Sequence, residues 1–193
     1  MRKYGIMGMM LVASILLLAS PAFAQESNNN ELQKKNQSLV VLACTLAMAI
    51  AGIASAIGIS IGGISAAAVT AEKPEVFSRV LILEMLPMTQ TIYAFIASVL
   101  LLMGAGLLGG KASMDLLNPT IGNSAIFVGL LIGLTGLSAI NQGLIASAGI
   151  TATGRNPSVA GRGIMLAVMP ETIAIFGFLV GLLIMVLGLK ILG

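Results

Sequence analysis

Glu171 sits where a carboxylate needs a reason to be. The surrounding stretch, GIMLAVMPETIAIFGFLVGLLIMVLGL (residues 163–189), is otherwise almost wholly apolar and long enough to cross a bilayer. The acid falls near the middle of that run, about 15 Å along a helix axis at 1.5 Å per residue. A carboxylate at that depth must be protonated, paired with a cation or surrounded by polar partners. No lysine or arginine lies at a comparable depth in any apolar run. The remaining partner is a mobile one, a proton or a metal ion. Uncharged oxygen donors occur at similar depths: Thr89 and Gln90 in LPMTQTIYAF, Asn141 and Gln142 in INQGLIASAG, and Thr172 beside the acid. Amide, hydroxyl and carbonyl oxygens with one carboxylate suit a hard cation, and a proton alone would not require so many. A closed structural network of polar side chains would use the same residue types.

Four apolar segments must carry these groups. The 193 residues are 58% hydrophobic and 9% charged, with a mean hydropathy of +1.05; soluble domains carry about a quarter charged residues. The runs, roughly 38–69, 77–108, 120–152 and 161–191, are too long for barrel strands and predict an all-α membrane protein. Ahead of them, MRKYGIMGMMLVASILLLASPAFA has Arg2 and Lys3, an apolar stretch, and Ala22 and Ala24 before Gln25. That pattern predicts a cleaved signal peptide over 1–24, with a retained first helix as the alternative. Residues 25–37 form a polar tail, 38–108 a first hairpin, 109–119 a loop outside the cytoplasm, and 120–193 a second hairpin.

The hairpins are related. Shifting residues 70–100 by 83 positions pairs Thr70 with Thr153, Pro74 with Pro157, Arg79 with Arg162, Pro87 with Pro170, Thr89 with Thr172 and Phe95 with Phe178, without a slip. Apolar composition does not align prolines and charges, so a tandem duplication is the better account. Its two halves run in the same direction. The counterpart of Glu171 is Met88, which leaves one acid per duplicated chain. Glu84 lies nearer the end of its helix, five residues after Arg79, where it could reach outward, pair with Arg79 or line an access path for an ion.

The loops TAEKPEVFSR and TGRNPSVAGR carry Lys73, Arg79, Arg155 and Arg162. Positive-inside statistics place them in the cytoplasm and both mature termini outside, opposed weakly by Lys34 and Lys35. Two small-residue tracks run along the first helix, one through Gly52, Ala56, Gly63 and Ala67 and one through Gly58, Gly62 and Ala66. Gly129, Gly133, Gly136 and Gly143 mark the third. Such tracks let helix backbones approach closely in lipid. Pro87 and Pro170 each loosen a helix and free a carbonyl one turn earlier, at Leu83 and Leu166.

Several chemistries have little support. There is no histidine, and Cys44 is the one cysteine. The net charge of +3 is small and scattered, which argues against nucleic-acid binding. The chain contains no Gly-x-x-x-x-Gly-Lys phosphate loop, so no nucleotide is expected to bind.

At LPMTQTIYAF, INQGLIASAG and MPETIAIFGF the chain resembles the proteolipid K-type (or c-type) subunits of bacterial and archaeal V-type ATPases, over essentially all of residues 38–193. The resemblance implies a rotor ring of identical subunits in membrane lipid. The ring would turn against a stator a/I-type subunit and connect through a central-stalk d/C-type subunit to a soluble ATPase. It also implies a Na+ site made of the Leu86 carbonyl, the Thr89 and Gln90 side chains, Gln142 and the Glu171 carboxylate, with the Tyr93 hydroxyl bonding to Glu171. The complete motif favours Na+ over H+. Glu84, Pro170 directly before the acid, and the leader depart from the usual pattern. A small secondary transporter and a non-transporting membrane oligomer are the competing readings.

Overall fold

In the computed structural model, residues 2–191 are described, with side chains from residue 28 onward. The expected cleavage after Ala24 lies outside the residues whose side chains are described. The elements are α1 (Arg2–Glu72), α2 (Phe77–Met85), α3 (Thr89–Gly104), α4 (Ile121–Gly136), α5 (Ser138–Arg155), α6 (Ala160–Val168) and α7 (Glu171–Leu183). They combine into four spans long and apolar enough to cross a membrane: Asn28–Glu72, Pro74–Gly104, Ile121–Arg155 and Pro157–Gly188. The protein is an all-α, multi-pass membrane protein of two tandem hairpins.

Three boundaries differ from those read off the sequence, each for a local reason. The first helix continues through the polar stretch before residue 38. There Asn36 Nδ2 donates to the carbonyls of Leu116 (2.8 Å) and Asn118 (3.0 Å), and Gln37 Nε2 donates to Ala105 O (3.1 Å). Those bonds give a polar helix turn a tertiary role that hydropathy does not register. The second span stops at Gly104 rather than 108, because Gly106 adopts φ +71° and the chain reverses. Its N–H bonds to Met103 O while Leu107 N–H bonds back to Leu102 O, which caps the last carbonyls. A Cβ at Gly106 would also lie 2.9 Å from the Ala112 nitrogen, so glycine is required twice over. The fourth helix begins earlier than expected, with a 3₁₀ turn at Pro157–Val159, and closes in a π-type turn at Ile184–Gly188.

Packing follows the glycines. The α1 track through Gly58, Gly62 and Ala66 is buried, whereas Ala56 and Ala67 of the other track are exposed. In the third span Gly129, Gly133, Gly136 and Gly143 are all buried. A Cβ on Gly136 would come within 2.9 Å of Ala51 Cβ, and one on Gly143 within 2.6 Å of the Gly58 carbonyl carbon. Both contacts advance in the same direction along the two helices, so α1 and the third span run parallel in close contact. In lipid this close approach supplies the association that water would otherwise drive.

The buried apolar side chains form two clusters. One contains Val40, Leu101, Val128 and Met185; the other contains Val80, Leu83, Ile150 and Ala167. Between them, at mid-span, lies a polar layer.

Candidate ion-binding site

Helix irregularities open that layer. In the second span, α2 gives way to a 3₁₀ turn, Leu86–Met88, around Pro87. Proline has no N–H to continue the ladder. The tightened turn leaves Leu86 O accepting from both the Thr89 backbone N–H and Thr89 Oγ1 (3.0 Å). In the fourth span, α6 stops at Val168, and Glu171 becomes the first residue of α7. The Leu166 carbonyl that Pro170 would free is taken by the Met169 N–H (3.3 Å). In the third span, Thr135 Oγ1 bonds back to Leu131 O (2.8 Å), and the helix breaks at Leu137 just before Gln142.

These breaks aim side chains from three spans at one point. Gln90 is 1% exposed, Gln142 0% and Glu171 8%. Gln90 Nε2 donates to Gln142 Oε1 (2.6 Å), and Gln142 Nε2 donates to Glu171 Oε2 (3.3 Å). Tyr93 OH donates to the other carboxylate oxygen, Oε1, at 2.8 Å. Thr89 Oγ1 also reaches Gln90 Oε1 (3.2 Å). Leu86 O, Thr89 Oγ1 and Gln90 Oε1 thus form a cluster of oxygens joined to the carboxylate by the Gln142 amide. The Tyr93 ring stacks on Phe178, with centroids 5.5 Å apart and planes 25° from parallel, which fixes the direction of its hydroxyl.

Every residue that the resemblance implicated converges here. Two donors counted by depth alone do not. Asn141 is exposed, and Thr172 is exposed with its hydroxyl bonded to Met169 O at 2.8 Å. Each is one residue from a site member, and a step of one residue turns about 100° around a helix. Glu84 stands apart from the layer, half-buried against Gly62 and Gly63. It forms no ion pair with Arg79, which instead donates to Pro157 O at 3.1 Å. Among the described residues the ion pair present joins Lys34 and Glu31. Pro170 directly precedes Glu171 as the N-cap of α7. Sequence reasoning missed Phe178 as a positioning residue; its pairing with Phe95 in the repeat was the available signal.

Two parallel hairpins with one carboxylate in a mid-span polar layer define a membrane proteolipid. The family model for the C subunit of ATP synthase matches the chain twice, over residues 42–101 and 126–184, one match per hairpin. Two relatives are similar along most of the chain. The K subunit of the A-type ATP synthase of Methanocaldococcus jannaschii is 39% identical over 147 residues, covering 76% of this chain and 63% of that protein. The K subunit of the V-type sodium ATPase of Enterococcus hirae is 37% identical over 153 residues, covering 79% of this chain and 93% of that protein. The chain therefore spans less than two thirds of the archaeal relative and nearly all of the bacterial one. It belongs to the family of ATP synthase C subunits, as a K/c-type membrane proteolipid of the V/A-type rotary ATPases.

Proposed function

We propose that the chain is the ion-carrying unit of a rotor ring and that its cargo is Na+. The observation that carries this reading is the environment of Glu171. Its two oxygens accept from Tyr93 and Gln142, both neutral, and it forms no ion pair with a basic side chain among the described residues. An ionised carboxylate so placed needs a cation before it can face lipid at tolerable cost. Leu86 O, Thr89 Oγ1 and Gln90 Oε1 offer the neutral oxygens that a hard cation takes, and Gln142 Oε1 adds another. The similarity to a relative named as a sodium ATPase subunit supports the same cargo.

In this mechanism Na+ enters from a stator half-channel and binds when Glu171 is ionised. The neutral pair then rides through lipid as the ring turns. A cationic stator side chain competes for the carboxylate and releases the ion into the second half-channel. The basic loops face the cytoplasm, where the central-stalk protein joins the ring to the ATP-handling sector. Each ion crosses a membrane potential worth about 2.3 kcal/mol per 100 mV. H+ carried by the same carboxyl is the alternative cargo.

Carbodiimide modification of Glu171 separates the two. Na+ should slow labelling at a pH where equal K+ does not; equal labelling in the two salts would assign the cargo to H+. Tyr93→Phe removes one donor from the carboxylate but keeps the stack on Phe178. The Na+ concentration for half-protection should then rise about tenfold, in line with a hydrogen bond to a charged group. An unchanged midpoint would remove Tyr93 from the site. The mass of the detergent-solubilised particle tests the ring itself: a particle of one or two chains would favour a secondary transporter or a simple oligomer.

A further inference from the structure

Two buried hydroxyls have no hydrogen-bond partner among the described residues: Ser55, 3% exposed, and Ser138, 7% exposed. Ser138 lies 83 positions after Ser55, so the two occupy the same place in the repeat. A serine or threonine inside a helix often donates to the carbonyl four residues back. Thr135 does so, to Leu131 O at 2.8 Å. For Ser55 that carbonyl is Ala51 O, which accepts from Thr91 Oγ1 (3.4 Å). For Ser138 it is Leu134 O, which accepts from the Leu137 N–H (3.2 Å) at the helix break. A buried polar group without a partner costs stability, so each of these hydroxyls calls for an explanation.

The surroundings of the two serines differ. Thr135, Ser138 and Gln142 form one stripe of the third span, at spacings of three and four. Both ends of the stripe meet α7. A Cβ on Gly177 would fall 2.6 Å from Thr135 Cβ, and Gln142 Nε2 donates to Glu171 Oε2. Ser138 lies between them, one turn before Gln142. Helical side chains lean toward the N-terminus of their helix, so the Gln142 amide leans over Ser138. That amide has a hydrogen to give. Its nitrogen carries two, and Glu171 takes one at 3.3 Å, the longest bond around the site. Ser55 stands in the same relation to Ile59, which has no amide.

We propose that Ser138 is a positioning residue for the ion: it accepts the Gln142 amide nitrogen when the amide oxygen turns to Na+. The proposal rests on the Na+ reading of the site. Gln142 Oε1 accepts from Gln90 Nε2 at 2.6 Å, and a cation at that oxygen is repelled by the same amide hydrogens. The Gln142 amide therefore turns. Its nitrogen leaves the carboxylate, which the cation now neutralises, and passes to Ser138 Oγ one turn back. The serine hydrogen shares Leu134 O, since a carbonyl has two lone pairs. A proton on Glu171 requires no such rotation, so Ser138 bears on Na+ and not on H+.

The test compares Ser138→Ala with Ser55→Ala in the solubilised complex. Two quantities are read: the melting temperature in K+ without Na+, and the Na+ concentration that half-protects Glu171 from carbodiimide. Each alanine removes a hydroxyl without a partner, so neither variant should melt below the parent in K+. Ser138→Ala should raise the half-protecting Na+ concentration about fivefold, the worth of one neutral hydrogen bond. Ser55→Ala should leave it unchanged. An unchanged midpoint in Ser138→Ala, or an equal shift in Ser55→Ala, overturns the proposal and leaves the Na+ reading standing. So does a Ser138→Ala complex that melts early in K+, because its hydroxyl then serves the fold rather than the ion. A parent complex that Na+ does not protect would remove the cargo reading, and this role of Ser138 with it.

Discussion

Glu171→Gln is expected to abolish carbodiimide labelling and to reduce Na+ binding about a thousandfold, while the complex still assembles. The size of the effect follows from charge. At an effective dielectric of about 20, a cation about 4 Å from a carboxylate gains about 4 kcal/mol, which is close to three decades in affinity. Glutamine has nearly the same volume and returns none of that energy. Assembly survives because the hydrogen bonds can reverse. Gln142 now donates to Glu171 Oε2 and accepts from Gln90. When an amide nitrogen replaces that carboxylate oxygen, both glutamines turn over and the chain of donors runs the other way. Tyr93 keeps an acceptor throughout. ATP-driven ²²Na+ uptake into vesicles and the mass of the solubilised particle are the two readouts. Normal mass with no uptake is the expected pair. Substantial uptake by the variant would show that the ion is carried elsewhere.

Gly143→Ala has the second largest expected effect, and it acts by distance. The added Cβ would fall 2.6 Å from the Gly58 carbonyl carbon, which is backbone and cannot rotate away. Either α1 and α5 separate or the contact carries overpacking strain, about 1–3 kcal/mol for a single methyl group. The adjacent residue is Gln142, so separation also moves the amide that links Gln90 to Glu171. The solubilised complex should lose thermal stability, and Na+ protection should weaken even though Glu171 remains available to carbodiimide. Gly161→Ala is the matched control: its Cβ meets nothing within 4 Å and should leave both measurements unchanged. Equal behaviour of the two variants would mean that the glycine contact does not position the site.

The spans and the duplication were legible in sequence for physical reasons. Membrane insertion depends on local composition over about 20 residues, and composition is a property of the string. The 83-residue repeat survives in prolines, an arginine and threonines that apolar drift does not regenerate. The family model finds the same two hairpins at 42–101 and 126–184. Helix ends were less legible. The turn at Gly106 and the polar helix held by Asn36 depend on contacts that hydropathy does not encode, those of Asn36 to residues far along the chain.

Depth alone did not separate Gln142 from Asn141, or Glu171 from Thr172. Within each pair, one side chain enters the polar layer and the other is exposed. The choice depends on helix phase, and phase is reset at Pro87, Leu137 and Pro170, where the regular ladders break. Similarly, the two small-residue tracks of the first helix look alike as strings. Only the one through Gly58, Gly62 and Ala66 is buried along its length, with Gly58 against the backbone of a neighbouring helix. The sequence by itself therefore determined which segments enter the membrane, that they form two related hairpins, and that only one hairpin holds an acid at mid-span. The tertiary structure decided which oxygens stand around that acid and which glycines bring them there. Those outcomes depend on the rotation and separation of whole helices, which no local run of residues specifies.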